Sequence, residues 1–85
     1  MNDAIESFER AVALAPNDAA SCYNLAKTYE VRYAKMLAFR HMQSSTPYPQ
    51  DRELAIEYYR KTVQLGGPFA EAAAMGLKRL GAPGA

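Results

Sequence analysis

Apolar residues recur along the chain at spacings of three and four residues, which is the period of an amphipathic α-helix. In the first such segment, Ile5, Phe8 and Val12 fall on one helical face. No segment carries the signal of a β-strand. The pattern therefore predicts an all-α protein of about four helices, over residues 3–15, 19–43, 51–65 and 69–80.

The segments between the predicted helices contain residues that stop helices or start them. A Pro-Asn-Asp sequence at residues 16–18 ends the first helix and caps the second. The polar, Pro-containing residues 44–50 predict a loop. A Gly-Gly-Pro sequence at residues 66–68 ends the third helix, because glycine accepts a left-handed cap and proline favours a new helix start. Residues 81–85 are predicted to form a frayed tail.

A sequence pattern in the first helix returns in the third helix, 51 residues later. The pattern is Ala-Ile-Glu, followed at every second position by an aromatic residue, a basic residue, Val and Leu. It occupies residues 4–14 and 55–65. Internal repetition of helical segments is typical of repeat proteins, in which neighbouring helix pairs stack on one another.

The chain resembles the tetratricopeptide repeat family, whose unit of about 34 residues is a pair of antiparallel helices. The first group of matching residues corresponds to the second helix of one repeat. The next group corresponds to the first helix of the following repeat. Cys22 replaces the usual Trp of that first helix. The matching residues are Ala4, Phe8, Ala11 and Pro16, then Tyr23, Asn24, Leu25, Ala26 and Tyr29.

The chain departs from this family pattern in two places. Its two second-helix segments are about 17 residues further apart than one repeat, which indicates an insertion between Tyr29 and Ala55 that lengthens the first helix. Residues 65–76 are more similar to the Sel1-like branch of the superfamily. The resemblance implies stacked antiparallel helical hairpins, as in a fragment of an α-solenoid.

In this register the chain begins in the middle of a repeat. Single repeats do not bury their apolar faces, and about three stacked units are normally needed for stability. The chain is therefore either an excerpt from a longer array or a protein whose copies complete one another by swapping or end-to-end stacking.

The residues that carry chemistry do not form a catalytic or metal-binding set. The chain has one cysteine and one histidine, and Cys22 and His41 would lie roughly 28 Å apart on one continuous helix. Cys22 occupies an apolar position and is predicted to be a buried structural thiol. We expect no enzyme activity, no cofactor and no metal. Residues 1–85 are predicted to form one small domain.

The family resemblance implies a binding groove lined by the first helices of the repeats. Tyr23, Asn24, Lys27 and Glu30 would project into this groove and contact a peptide or a partner protein. Members of the family combine Asn and Lys to hold a carboxylate terminus, so Asn24 and Lys27 are candidates for that role.

The insertion predicts a second surface, because residues 31–50 contain three basic residues and no acidic one. Residues 1–30, in contrast, contain five acidic residues and two basic ones. Nucleic-acid binding is the less favoured interpretation, since three charges neutralise few phosphates. The predicted apolar and basic surface consists of Arg32, Tyr33, Lys35, Met36, Phe39 and Arg40.

The sequence thus predicts a protein-interaction module without catalytic activity. The alternative is a structural role in homo-oligomerisation through the open ends and the elongated helix. The net charge of +1 gives no overall attraction to nucleic acid or to an anionic membrane. The N-terminus does not resemble a signal peptide and no segment has the length of a membrane span, so we expect a cytoplasmic protein.

Overall fold

The computed structural model describes residues 3–39 and 50–82, and every regular element in these ranges is an α-helix. The all-α prediction is therefore confirmed. The predicted end of the second helix at residue 43, residues 44–49 of the predicted loop and residues 83–85 of the predicted tail lie outside the described residues. The helices are α1 (Asp3–Leu14), α2 (Ala19–Phe39), α3 (Asp51–Leu65) and α4 (Ala70–Arg79).

The helix boundaries follow from the residues that the sequence places there. The carboxylate of Asp18 accepts hydrogen bonds from the Ala20 N–H at 3.2 Å and from the Ser21 hydroxyl at 2.8 Å, which caps the start of α2. At the end of α3, Gly66 has a φ of 74° and donates its N–H to the Thr62 carbonyl at 3.1 Å. A side chain would strain this backbone conformation, so the helix ends at a glycine.

Successive helices run antiparallel and pack against their neighbours. Near the start of α3, Arg52 reaches the carbonyl of Leu80, just beyond the end of α4. Tyr29 of α2 donates its hydroxyl to Glu9 of α1 at 2.8 Å. α2 packs most extensively against α3, and α1 and α4 flank this central pair.

Each buried residue of α2 corresponds to a buried residue 51 positions later, in α4 or directly after it. The same shift of 51 residues relates the sequences of α1 and α3. Ile5 of α1 and Ile56 of α3 are both buried as well. The second helix of each pair, α2 and α4, therefore shares one pattern of burial, and the repeat extends beyond the identical residues. The matched buried positions are Cys22 with Ala73, Leu25 with Gly76, Ala26 with Leu77 and Tyr29 with Leu80.

Candidate interaction surface between α2 and α4

An ion pair joins α2 to α4 although α3 lies between them in the sequence. The guanidinium of Arg79 donates two hydrogen bonds, each 2.9 Å long, to the carboxylate of Glu30. The hydroxyl of Tyr59, on α3, donates a third bond to the same carboxylate at 2.6 Å. Glu30 thus connects three helices, and its side chain is only 15% exposed.

Aromatic contacts join the same helices nearer the start of α2. The ring centroid of Tyr23 lies 5.3 Å from that of Phe69, directly before α4, and 6.0 Å from that of Tyr59. Tyr23 and Glu30 are seven residues apart and therefore lie on one face of α2, two turns from each other. This face of α2 lies beside α4.

Between Tyr23 and Glu30, the same face of α2 carries Lys27, which is exposed. On α4, Ala72, Met75 and Arg79 follow one another at helical spacing on the side where Arg79 meets α2. Met75 is 57% exposed and the side chain of Arg79 is 52% exposed. We call the surface formed by Lys27, Ala72, Met75 and Arg79 the α2–α4 face.

The charges of the α2–α4 face are partly paired. The hydrogen bonds from Arg79 hold the pKa of Glu30 below its ordinary value of 4.5, and the bond from Tyr59 acts in the same direction. Burial, together with the hydrogen bond to Glu30, raises the pKa of Tyr59 above its ordinary value of 10. Because Glu30 is neutralised by Arg79, the exposed ammonium of Lys27 gives the face a positive character.

The four predicted groove residues occupy different environments. Asn24 and Lys27 are exposed, and Tyr23 is half-buried against Tyr59 and Phe69. Glu30 was expected to project towards a partner. Its carboxylate is instead bonded to Arg79 and Tyr59, so it positions helices.

The described residues of the predicted insertion surface occupy different environments. The guanidinium of Arg32 bonds the carboxylate of Asp51 at 2.7 and 2.9 Å, and Asp51 is 2% exposed. Tyr33 packs against the core and is half-buried, while Lys35 is exposed. The charge of Arg32 is thus matched by a buried acid. The side chains of Met36 and Phe39, and the whole of Arg40, lie outside the described residues.

Sequence reasoning missed the contribution of α4 to this surface. Phe69, Met75 and Arg79 carried no local signal, since Arg79 meets Glu30 across 49 residues of sequence. The buried position of Asp51 was also missed, because an acid at a helix start ordinarily favours the helix dipole from a solvated position.

The described residues contain no group of three or more His, Cys, Asp or Glu side chains placed to hold a metal ion. Among the same residues, no helix combines the length and the apolar character needed to cross a membrane. Comparisons with protein-family models, with curated proteins and with solved structures found no match to this chain.

Proposed function

We propose that this chain is a protein-interaction module whose α2–α4 face receives a peptide segment of a partner protein. The observation that carries the proposal is the bonding of Glu30 to Arg79 and Tyr59, with the ring of Tyr23 in tilted contact with Phe69. These contacts hold two non-consecutive helices side by side. A binding surface fixed in this way loses little conformational entropy when a ligand binds.

The chemistry of the face favours an acidic segment with an apolar side chain. Lys27 supplies an exposed ammonium, and the half-exposed guanidinium of Arg79 keeps donors that Glu30 does not use. Met75 adds an exposed and adaptable apolar contact one turn before Arg79. A free C-terminal carboxylate, held between Asn24 and Lys27, is the most specific form of such a ligand.

A peptide-display selection against the folded chain tests the proposal. The library presents random peptides with free C-termini, and the affinities of the selected peptides are then measured by fluorescence anisotropy. We expect peptides rich in Asp and Glu, and a loss of about fivefold to tenfold in affinity for Lys27→Ala, because each tenfold is about 1.4 kcal/mol. Met75→Ala is expected to weaken the same peptides.

Lys35→Ala is the matched control. Lys35 is an exposed lysine on the same helix, about two turns beyond Lys27 and five residues beyond Glu30, where the last residue of α4 bonds. It removes the same charge and is expected to leave affinity within about twofold of the wild type. Equal losses for Lys27→Ala and Lys35→Ala would indicate non-specific attraction and would contradict a site at the α2–α4 face.

A further inference from the structure

The guanidinium of Arg79 is bonded to Glu30 along one edge and keeps a second edge. Its Nε and Nη2 atoms each donate a hydrogen bond to the Glu30 carboxylate at 2.9 Å. A guanidinium has N–H groups on both of its edges, so those of Nη1 and one of Nη2 lie outside these two bonds. The side chain of Arg79 is 52% exposed. The N–H groups of the second edge form a fork that matches the two oxygens of another carboxylate.

Glu30 is a fixed negative charge beside this fork. Its side chain is 15% exposed, and the hydroxyl of Tyr59 bonds the same carboxylate at 2.6 Å. The hydrogen bonds from Arg79 hold the pKa of Glu30 below its ordinary value of 4.5, against the opposing effect of burial. The carboxylate is therefore ionised at neutral pH and is held by residues of two other helices. An anion that binds the fork shares one guanidinium with Glu30 and is repelled by it.

Two positive charges and one negative charge lie together at this end of the α2–α4 face. Besides Arg79, Lys27 is close enough to Glu30 for its charge to lower the pKa of that carboxylate. The three side chains leave a single positive charge in excess, which one carboxylate neutralises. Glu71 of α4 lies about 12 Å before Arg79 along the helix axis, which is longer than the screening length of about 8 Å at physiological ionic strength.

The charge of a bound group decides how strongly Glu30 opposes it, because Coulomb repulsion is proportional to that charge. A carboxylate carries one negative charge, whereas phosphoserine carries about 1.5–2 at pH 7. Glu30 therefore opposes a phosphate up to about twice as strongly as a carboxylate at the same position. The attraction of Arg79 and Lys27 for the additional charge is partly cancelled in this way.

We propose that Glu30 is a specificity-determining residue of the α2–α4 face, which it adapts to carboxylate side chains of a partner rather than to phosphorylated ones. This inference rests on the proposed function, since it concerns the same surface. It implies that phosphorylation of a partner segment does not substitute for an Asp or Glu at the fork of Arg79.

A set of synthetic peptides tests the inference. The parent is the tightest acidic peptide from the display selection, and its acidic residues are replaced one at a time by Gln. At the position where Gln lowers the affinity most, phosphoserine is then introduced. Fluorescence anisotropy gives the affinity ratio, defined as the affinity of the phosphoserine peptide divided by that of the parent. The wild type is expected to bind the phosphoserine peptide no more tightly than the parent. Glu30→Gln removes the charge with little change of shape and is expected to raise the affinity ratio about threefold to tenfold.

Two variants separate the charge of Glu30 from its structural role. Tyr59→Phe removes a hydrogen bond to Glu30 and keeps its charge. Glu71→Gln removes an exposed acid from the helix that carries Arg79. Both are expected to leave the affinity ratio within about twofold of the wild type. A looser contact between α2 and α4 weakens both peptides alike, so the affinity ratio reports the charge of Glu30.

The wild type also provides a test that needs no variant. The second ionisation of phosphoserine has a pKa of about 6, whereas Glu30 is ionised above its ordinary value of 4.5. Raising the pH from about 5 to about 7.5 therefore gives the phosphate its second charge beside an unchanged Glu30. The affinity ratio is expected to rise by less than about twofold over this range.

An affinity ratio that did not rise in Glu30→Gln would overturn the inference. A larger rise with pH in the wild type, or tighter binding of the phosphoserine peptide than of the parent, would overturn it as well. In each of these cases acidic peptides still bind the α2–α4 face, so the proposed function stands. If the selection yields no acidic peptide, the proposed function and this inference both fail.

Discussion

The ring of Tyr59 lies directly against the backbone of Gly76. A Cβ atom at position 76 would fall 2.5 Å from the nearest carbon of this ring, closer than non-bonded carbons approach in proteins. Tyr59 is fully buried, and its hydroxyl continues past α4 to Glu30 of α2. The missing side chain at Gly76 thus allows a residue of α3 to contact both flanking helices.

Gly76→Ala is therefore expected to destabilise the protein, although Ala is the better helix former. In an unconstrained helix interior, replacing Gly with Ala gains about 1 kcal/mol. Here the added methyl overpacks a site with no free volume, which costs about 1–3 kcal/mol. Urea denaturation followed by circular dichroism measures the free energy of unfolding.

Ala74→Gly is the matched control, since it makes the reverse change at an exposed position of the same helix. It is expected to lower the free energy of unfolding by no more than about 1 kcal/mol, from helix propensity alone. If Gly76→Ala raised the free energy of unfolding, the close contact between Tyr59 and Gly76 would be refuted.

The sequence alone was sufficient to predict the structural features that depend on neighbouring residues. Asp18 caps α2 through its own carboxylate, and Gly66 ends α3 because of its positive φ, so both boundaries follow from local chemistry. The apolar position of Cys22 likewise predicted that its thiol is buried.

The contacts between distant segments could not be derived in this way. Glu30 was predicted to line a binding groove, and only the packing of α4 beside α2 brings Arg79 to it. Gly76 ends the segment that is similar to the Sel1-like branch, but the need for a glycine there comes from the ring of Tyr59 on another helix. The predicted roles of Asn24 and Lys27 depend on a partner and stay predictions.

The ion pair between Arg32 and Asp51 connects α2 to the start of α3, and we expect Arg32→Met to destabilise the fold. This variant leaves the carboxylate of Asp51, which is 2% exposed, without its bidentate partner. Loss of one member of a buried pair costs about 3–5 kcal/mol, and the 25% exposure of the Arg32 side chain reduces the expected value to about 1–3 kcal/mol. Urea denaturation measures this loss.

A double variant, Arg32→Met with Asp51→Leu, tests whether the loss of stability comes from the unpaired carboxylate of Asp51. Replacing both members by apolar residues removes the unpaired charge, so part of the stability is expected to return. Lys35→Met, at an exposed position on the same helix, is expected to change the free energy of unfolding by less than about 0.5 kcal/mol. A large loss for this control, or no recovery in the double variant, would be inconsistent with a specific buried pair.

Protonation of Glu30 is expected to weaken the fold at acid pH. The pKa of Glu30 is lowered in the folded state by Arg79, so its ionised form stabilises the protein above the ordinary value of 4.5. This contribution is lost as the pH falls from 4.5 through the lowered pKa of the folded state. The free energy of unfolding, measured by urea denaturation between neutral pH and that range, is expected to fall less steeply in Glu30→Gln than in the wild type.

Glu53→Gln serves as the control for this titration, because it removes an exposed glutamate of α3 and leaves the Glu30–Arg79 pair intact. Its acid dependence is expected to follow that of the wild type. Identical acid slopes in Glu30→Gln and the wild type would exclude Glu30 as a source of the pH dependence.

The thiol of Cys22 reports on how tightly α1, α2 and α3 pack. Cys22 is fully buried, and burial raises the pKa of its thiol, so the reactive thiolate is disfavoured in the native state. We expect a thiol reagent to label the native protein only through transient opening, with a rate about tenfold lower for each 1.4 kcal/mol of opening free energy. If the opening that exposes Cys22 is global unfolding, Gly76→Ala lowers the opening free energy and is expected to speed labelling in proportion to its loss of stability. Ala74→Gly is expected to speed labelling less. Native labelling as fast as that of a free cysteine peptide would contradict the buried position of Cys22 and the packing of α2 against its neighbours.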